Sequence, residues 1–199
     1  MVTKSNYNLQ NIQNMSLPNK FKLINDVQTT FTEFTEWYRR REDNDLNRIV
    51  KEGKWSAAGH LYHVVKTTNA INMGMQLPKG ILESQFGKCK RVERNFSEQH
   101  NYYLETLAAI VNSGKTVTPP SNVVPDASRI FEKERLMQRL KKAGDDYYAY
   151  LEIWEEEDLG TYVIPHPLMG KLTLREFAYF TIFHTKHHHD NLKENYTFV

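Results

Sequence analysis

The sequence predicts an all-α fold, an all-helical bundle, on three observations. Apolar residues recur every three or four positions over long stretches, which builds one buried stripe per helix. Helix-start signals stand ahead of those stretches, with Ser56 before one and Thr173 with Glu176 three residues later before another. No segment shows sustained strand alternation bounded by turns, and no internal repeat is visible.

Taken in order, residues 1–20 are rich in Asn and low in aliphatics and read as a polar arm, leaving 21–199 as one helical unit. Ile24, Val27, Phe31, Phe34 and Tyr38 place the first helix at about 22–41. The basic run Arg39-Arg40-Arg41 is followed at once by Glu42 and Asp43, as at a solvated helix end, and Gly53 closes this charged stretch. Ser56 caps a second helix that runs to about Met75, with Gly59, His63, Thr67 and Ala70 in one line. Ile81 to Arg94 is less regular, a short helix or ordered loop. Ser97 is the expected cap of a helix ending at Asn112 before Gly114, burying Tyr103, Leu104, Leu107, Ile110 and Val111. Pro119, Pro120 and Pro125 then break the chain. Asp126 or Ser128 opens a long helix to about Trp154, with Ile130, Leu136, Leu140, Tyr147, Tyr150 and Leu151 inward. Residues 162–167 hold Pro165 and Pro167 and read as an extended loop. The Thr173–Glu176 capping box starts the last helix, from Leu174 to about Glu194.

Composition narrows the function. The 199 residues are 25% charged and 40% hydrophobic, enough for one domain with a real core. No run of about 18 apolar residues spans a membrane. The opening MVTKSNYNLQ lacks an apolar stretch, so no secretory signal is expected. Cys89 stands alone and forms no disulfide framework, which fits a reducing, cytoplasmic setting. Lys and Arg total 26 against 24 Asp and Glu, a net charge of +2 that gives a nucleic-acid partner no electrostatic footprint.

The unusual count is eight histidines, four of them between His184 and His189. His184 and His188 are four apart, one above the other on a helix, and two imidazoles so spaced can grip one metal ion. Their stripe continues through Thr181, Phe177 and Leu174, which marks it as the buried face. Two ionisable rings on such a face must be satisfied, and a divalent cation does this well. A third ligand is expected from the second helix. His63 fits best, because Gly59 one turn earlier is small and lets another helix come close; His60 is the competitor. His187 and His189 point about a hundred degrees to either side of His188 and read as supporting or surface groups. Core histidines bonded to one another and to tyrosine hydroxyls are the competing structural account of the cluster.

Three stretches carry a family resemblance. Trp55-Ser56-Ala57-Ala58-Gly59-His60-Leu61-Tyr62-His63 resembles the opening of the second helix in the DinB-like superfamily. His166-Pro167-Leu168-Met169-Gly170-Lys171-Leu172-Thr173 resembles the loop before that family's last helix, and His184-Thr185-Lys186-His187-His188 its terminal HxxHH. The resemblance covers roughly residues 22–195. It implies an up-down-down-up four-helix bundle, here with an extra helical insertion between Ile81 and Pro125. It implies metal ligands at His63, His184 and His188, one divalent ion per chain (Zn or Ni), and a homodimer. Trp37, Tyr38, Tyr147, Tyr148 and Trp154 are the aromatic residues expected to supply the dimer surface. Some members of the family conjugate a low-molecular-weight thiol, and others are described as metal-dependent hydrolases.

Three neutral nitrogen ligands leave an ion's charge intact and at least one position open, the arrangement of catalytic rather than closed structural sites. Such a position can take water or a thiol in its deprotonated form. The expectation is therefore a thiol S-transferase or hydrolase acting on a small electrophile, the alternative being a non-catalytic metal-containing bundle with a binding or stress-response role. Near the ligands, Tyr62, His60, Tyr179, Glu176 and His166 are the candidates for a base or substrate clamp, none preferred.

Overall fold

The computed structural model describes residues 19–126 and 128–196, so most of the polar arm lies outside the described residues. Eight α-helices and one two-stranded hairpin are formed there. Four long helices make the bundle: α1 (Lys20–Arg39), α3 (Ala57–Met75), α6 (Lys133–Ile153) and α8 (Leu174–Asn195). Shorter helices α2 (Asp43–Asn47), α4 (Lys79–Phe86) and α7 (Glu156–Thr161) sit at the connections, and α5 (Phe96–Asn112) lies against α8.

Local signals account for most of the helix starts. Asn19 caps α1 by accepting from the Lys22 amide, and Ser56 caps α3 by accepting from the Gly59 amide. The Thr173–Glu176 box opens α8 as expected. Leu23, Ile24, Val27, Phe31, Phe34 and Tyr38 of α1 all enter the core. Among the described residues no helix is long and apolar enough to cross a membrane.

Contacts between helix ends give the direction of each. Lys20 at the start of α1 donates to backbone carbonyls of Glu152 and Trp154 at the end of α6, so α1 and α6 are antiparallel. Trp154 donates to the Met75 carbonyl while Tyr62 packs on Phe131, so α3 and α6 run parallel. Phe34 meets His189 and Trp37 meets Tyr196, so α1 and α8 are parallel as well. This is the up-down-down-up course. Two consecutive parallel helices need a long crossover. The stretch expected as an insertion supplies it, passing through α4, α5 and a 3₁₀ turn at Ser121–Val123. Ion pairs to two buried residues then fasten the crossover to the start of α8: Arg91 and Arg94 meet Glu176, and Glu93 meets Arg175.

Several expectations are corrected. Asn95, not Ser97, caps α5, in a capping box with Glu98. Of the five residues expected inside from α5 only Tyr103 is buried; Leu104 and Val111 are about half exposed, at 46% and 49%. The helix lies outside the bundle and touches it along a single stripe, so it has no second face to bury. Helix α6 starts at Lys133, because the Asp126 carboxylate instead closes a turn onto the Ser128 amide and hydroxyl, and Ile130 is exposed. The extended segment before α8 is a strand, β1 (Val163–His166), paired antiparallel with β2 (Gly170–Thr173). Gly170 at φ 73° makes the turn, and four-residue strands are too short to show alternation in a sequence. Trp37, Tyr38, Tyr147 and Trp154 are buried in the protein's own core and are not available to a dimer face.

Candidate metal centre

Helices α3 and α8 cross antiparallel so that the first turns of α3 meet the last turns of α8. The crossing places His63, His184 and His188 together, all buried. Their ligand nitrogens lie within 4.8 Å of one another. His63 Nε2 and His188 Nε2 are each 3.2 Å from His184 Nε2. Two nitrogens bound to one tetrahedral ion at about 2.0–2.1 Å sit about 3.3 Å apart, so the observed spacing is that of a ligand set.

The hydrogen-bond inventory agrees. His63 Nδ1 is 2.9 Å from the Val123 carbonyl, an acceptor only, so Nδ1 carries the proton and Nε2 presents a bare lone pair. His188 Nδ1 is 2.8 Å from His60 Nδ1. When His188 donates there, its Nε2 is also a lone pair, and one His184 proton would have to serve two acceptors at once. A cation satisfies all three nitrogens. Of the alternative, core histidines bonded to one another and to tyrosine hydroxyls, the hydrogen bonds of the described residues include the contacts between histidines and none from these rings to a tyrosine hydroxyl. Burial pushes the pKa values of His184 and His188 well below the usual histidine range and also lowers that of His63, which keeps the rings neutral and able to ligate. Three neutral nitrogens fit a divalent ion of intermediate softness such as zinc or nickel.

The other histidines fall into distinct places. His60, the competitor for the third position, points its Nδ1 at the back of His188 rather than into the cluster. Gly59 does matter, although its neighbour is not α8: a Cβ there would lie 3.1 Å from Trp55 Cβ and 3.3 Å from Pro125 Cγ, so the glycine admits the crossover. Trp55 then roofs the cluster, near-parallel to His188 and tilted against His63. His187 is exposed beside Asn191, as expected. His189 is buried and edge-on to Phe34 of α1, because the α1–α8 contact covers that side of the helix. Tyr62, Glu176 and Tyr179 play no part at the triad. Tyr62 packs on Phe131, Glu176 is taken up by the helix cap and two arginines, and Tyr179 packs on Phe96.

His166, one of the unranked candidates for a base or clamp, lines a cavity of about 350 Å³ whose wall also includes His63 and His184. The hairpin, the crossover and the inner faces of α3 and α8 enclose this space. Leu168 and Met169 amides both donate to His166 Nδ1, at 3.1 and 3.2 Å. Phe180 lies between the His166 ring, at 4.6 Å, and the His184 ring, at 4.7 Å and nearly parallel. The signal that could have found the cavity is the run of prolines in the crossover and hairpin, since Pro119, Pro120, Pro165 and Pro167 all face it.

Comparison with protein families matches the DinB superfamily over residues 27–191. No curated protein and no solved structure matches the chain.

Proposed function

The chain belongs to the DinB superfamily, and on that premise we propose that it is a metal-dependent enzyme, a thiol S-transferase or hydrolase acting on a small electrophile. In this reading His63, His184 and His188 hold one divalent ion per chain, zinc or nickel. The observation that carries it is the meeting of three histidine Nε2 atoms beside a half-open cavity that His63 and His184 line. An ion on three neutral imidazoles keeps its full charge and an open position, and so supplies Lewis acidity toward a thiol or water. The protein's own groups do the remainder. Val123 fixes the ring of His63 and His60 fixes that of His188, so both ligands are oriented before the ion arrives. Trp55 and Phe180 exclude water from two sides of the cluster.

The choice of transferase leans on the family resemblance, as does a homodimer, which forms part of the same proposal. The test is tag-free protein loaded with zinc or nickel and incubated with low-molecular-weight thiols and a halodinitrobenzene, with ester substrates and water-only controls alongside. Conjugation above the metal-free rate, lost in His184→Ala, supports the transferase; ester cleavage without thiol supports the hydrolase. Equal inertness of loaded and metal-free protein moves the reading to a non-catalytic metal-containing bundle. A single monomeric mass by light scattering across a hundredfold dilution refutes the dimer.

A further inference from the structure

The walls of the cavity decide what can enter it. Among the described residues none of its lining side chains is Asp, Glu, Lys or Arg. Ile71, Leu107, Val117, Ile164, Leu168 and Phe177 are among its apolar lining residues. In the metal-free protein a carboxylate or ammonium group drawn into this space would leave water with no charged side chain on the wall to meet it, which costs several kcal/mol or more.

Two of the polar groups on the wall are spent within the protein. Thr67 Oγ1 is occupied by carbonyls of its own helix, those of His63 and Val64. The His63 Nδ1 proton goes to Val123. His166 differs. Two backbone amides point at its Nδ1, so that nitrogen holds the lone pair and the neutral ring must carry its proton on Nε2. The His166 Nε2 has no hydrogen-bond partner among the described residues. The ring cannot swing away, because the hairpin pairs His166 with Gly170 and Phe180 packs against its side.

We infer that the cavity receives a neutral, mainly apolar molecule whose acceptor atom, such as a carbonyl oxygen, takes a hydrogen bond from His166 Nε2. Phe180, in contact with both His166 and His184, sets the two ends of the site one aromatic ring apart. A molecule held by His166 therefore presents its other end to the triad. The inference rests on the proposed metal reading for what happens at that end, and not for occupancy of the cavity. It assigns the cavity to the neutral electrophile. A carboxylate-bearing thiol must approach the triad by another side or leave its charged part in solvent.

Three molecules of nearly one shape separate the terms: acetophenone (neutral with an acceptor), benzoate (charged) and ethylbenzene (neutral without one). Each is titrated into full-length, ¹⁵N-histidine-labelled protein, metal-free and zinc-loaded, and followed by long-range ¹H–¹⁵N spectra of the imidazoles. The expected result is an Nε2–H tautomer for His166, a shift of that resonance with acetophenone, and, in the metal-free protein, acetophenone binding at least tenfold tighter than benzoate. His166→Phe should bring acetophenone to the affinity of ethylbenzene. Benzoate binding the metal-free protein as tightly as acetophenone, an Nδ1–H tautomer, or an unmoved His166 resonance at saturation overturns the inference. The wild-type spectra decide the matter even where the variant fails to fold. Failure of the metal reading is separately visible, as His63, His184 and His188 resonances that zinc leaves unchanged.

Discussion

Replacing His60 with alanine removes the partner 2.8 Å behind His188 and touches no nitrogen of the triad itself. The His60 pKa is lowered to about 4, chiefly by burial, so at neutral pH the ring is uncharged and can accept from His188 Nδ1–H. Losing such a partner typically costs 10–100-fold in metal affinity, about 1.4–2.8 kcal/mol. Trp55 still lies nearly parallel to His188, with 15° between the rings, and retains part of the orientation. The expected loss is therefore near the lower end, about tenfold. Competition against a chromophoric chelator, on tag-free protein, measures it. Stoichiometry at saturating zinc should stay at one per chain, and His60→Gln, whose amide oxygen can accept the same proton, should recover part of the affinity. The thermal midpoint of each metal-free variant separates ligand positioning from general loosening. Unchanged affinity in His60→Ala would refute the positioning argument. Complete loss of metal would make His60 a ligand and move the α3 contribution one turn earlier.

The remaining expectations concern other parts of the molecule. Trp55 adjoins three histidines, so binding of nickel or cobalt should quench its fluorescence, and Trp55→Phe should remove most of the response. Burial lowers the pKa values of His60 and His166 to about 4, against an ordinary 6.5. The unfolded chain therefore binds more protons between those values, and the metal-free protein should lose stability as pH falls from about 6.5 to about 4, at up to about 1.4 kcal/mol per pH unit for each ring. Denaturant midpoints across that range read it, and a flat profile contradicts it. Glu176, fully buried, accepts from the Thr173 and Arg94 amides and pairs with Arg91, so Glu176→Ala should cost about 3–5 kcal/mol in urea unfolding. Leu104→Lys on the outer face of α5 should change stability by no more than about 0.5 kcal/mol, since the side chain is already half exposed.

Much of this protein could be read from its sequence because the relevant physics is local. Ser56 and Thr173 mark helix starts by short-range hydrogen bonds, and the i, i+4 spacing of His184 and His188 fixes their common face wherever the helix lies. The choice of His63 over His60 rests on Gly59 one turn earlier and on the family resemblance, although Gly59 faces Trp55 and Pro125 rather than α8. What failed depended on packing between distant segments. Leu104 and Val111 look like core residues until α5 is found outside the bundle. His189 looks like a surface group until α1 covers it. The role of His166 depends on two amides in a hairpin whose strands are four residues long, and that of His60 on a ring 128 residues away. Asp126 offered a helix cap by type and spacing, but its carboxylate closes a turn instead, a competition that local sequence leaves undecided.

Metal content per chain tests the central claim most directly. Protein purified without a histidine tag, dialysed against excess zinc and then against metal-free buffer, should retain about one ion per chain. His184→Ala should lose it, as should the double variant His63→Ala/His188→Ala, while His187→Ala and His189→Ala keep most of theirs. Stoichiometric metal in the double variant would contradict the account, because no other three ligand atoms among the described residues meet as these do.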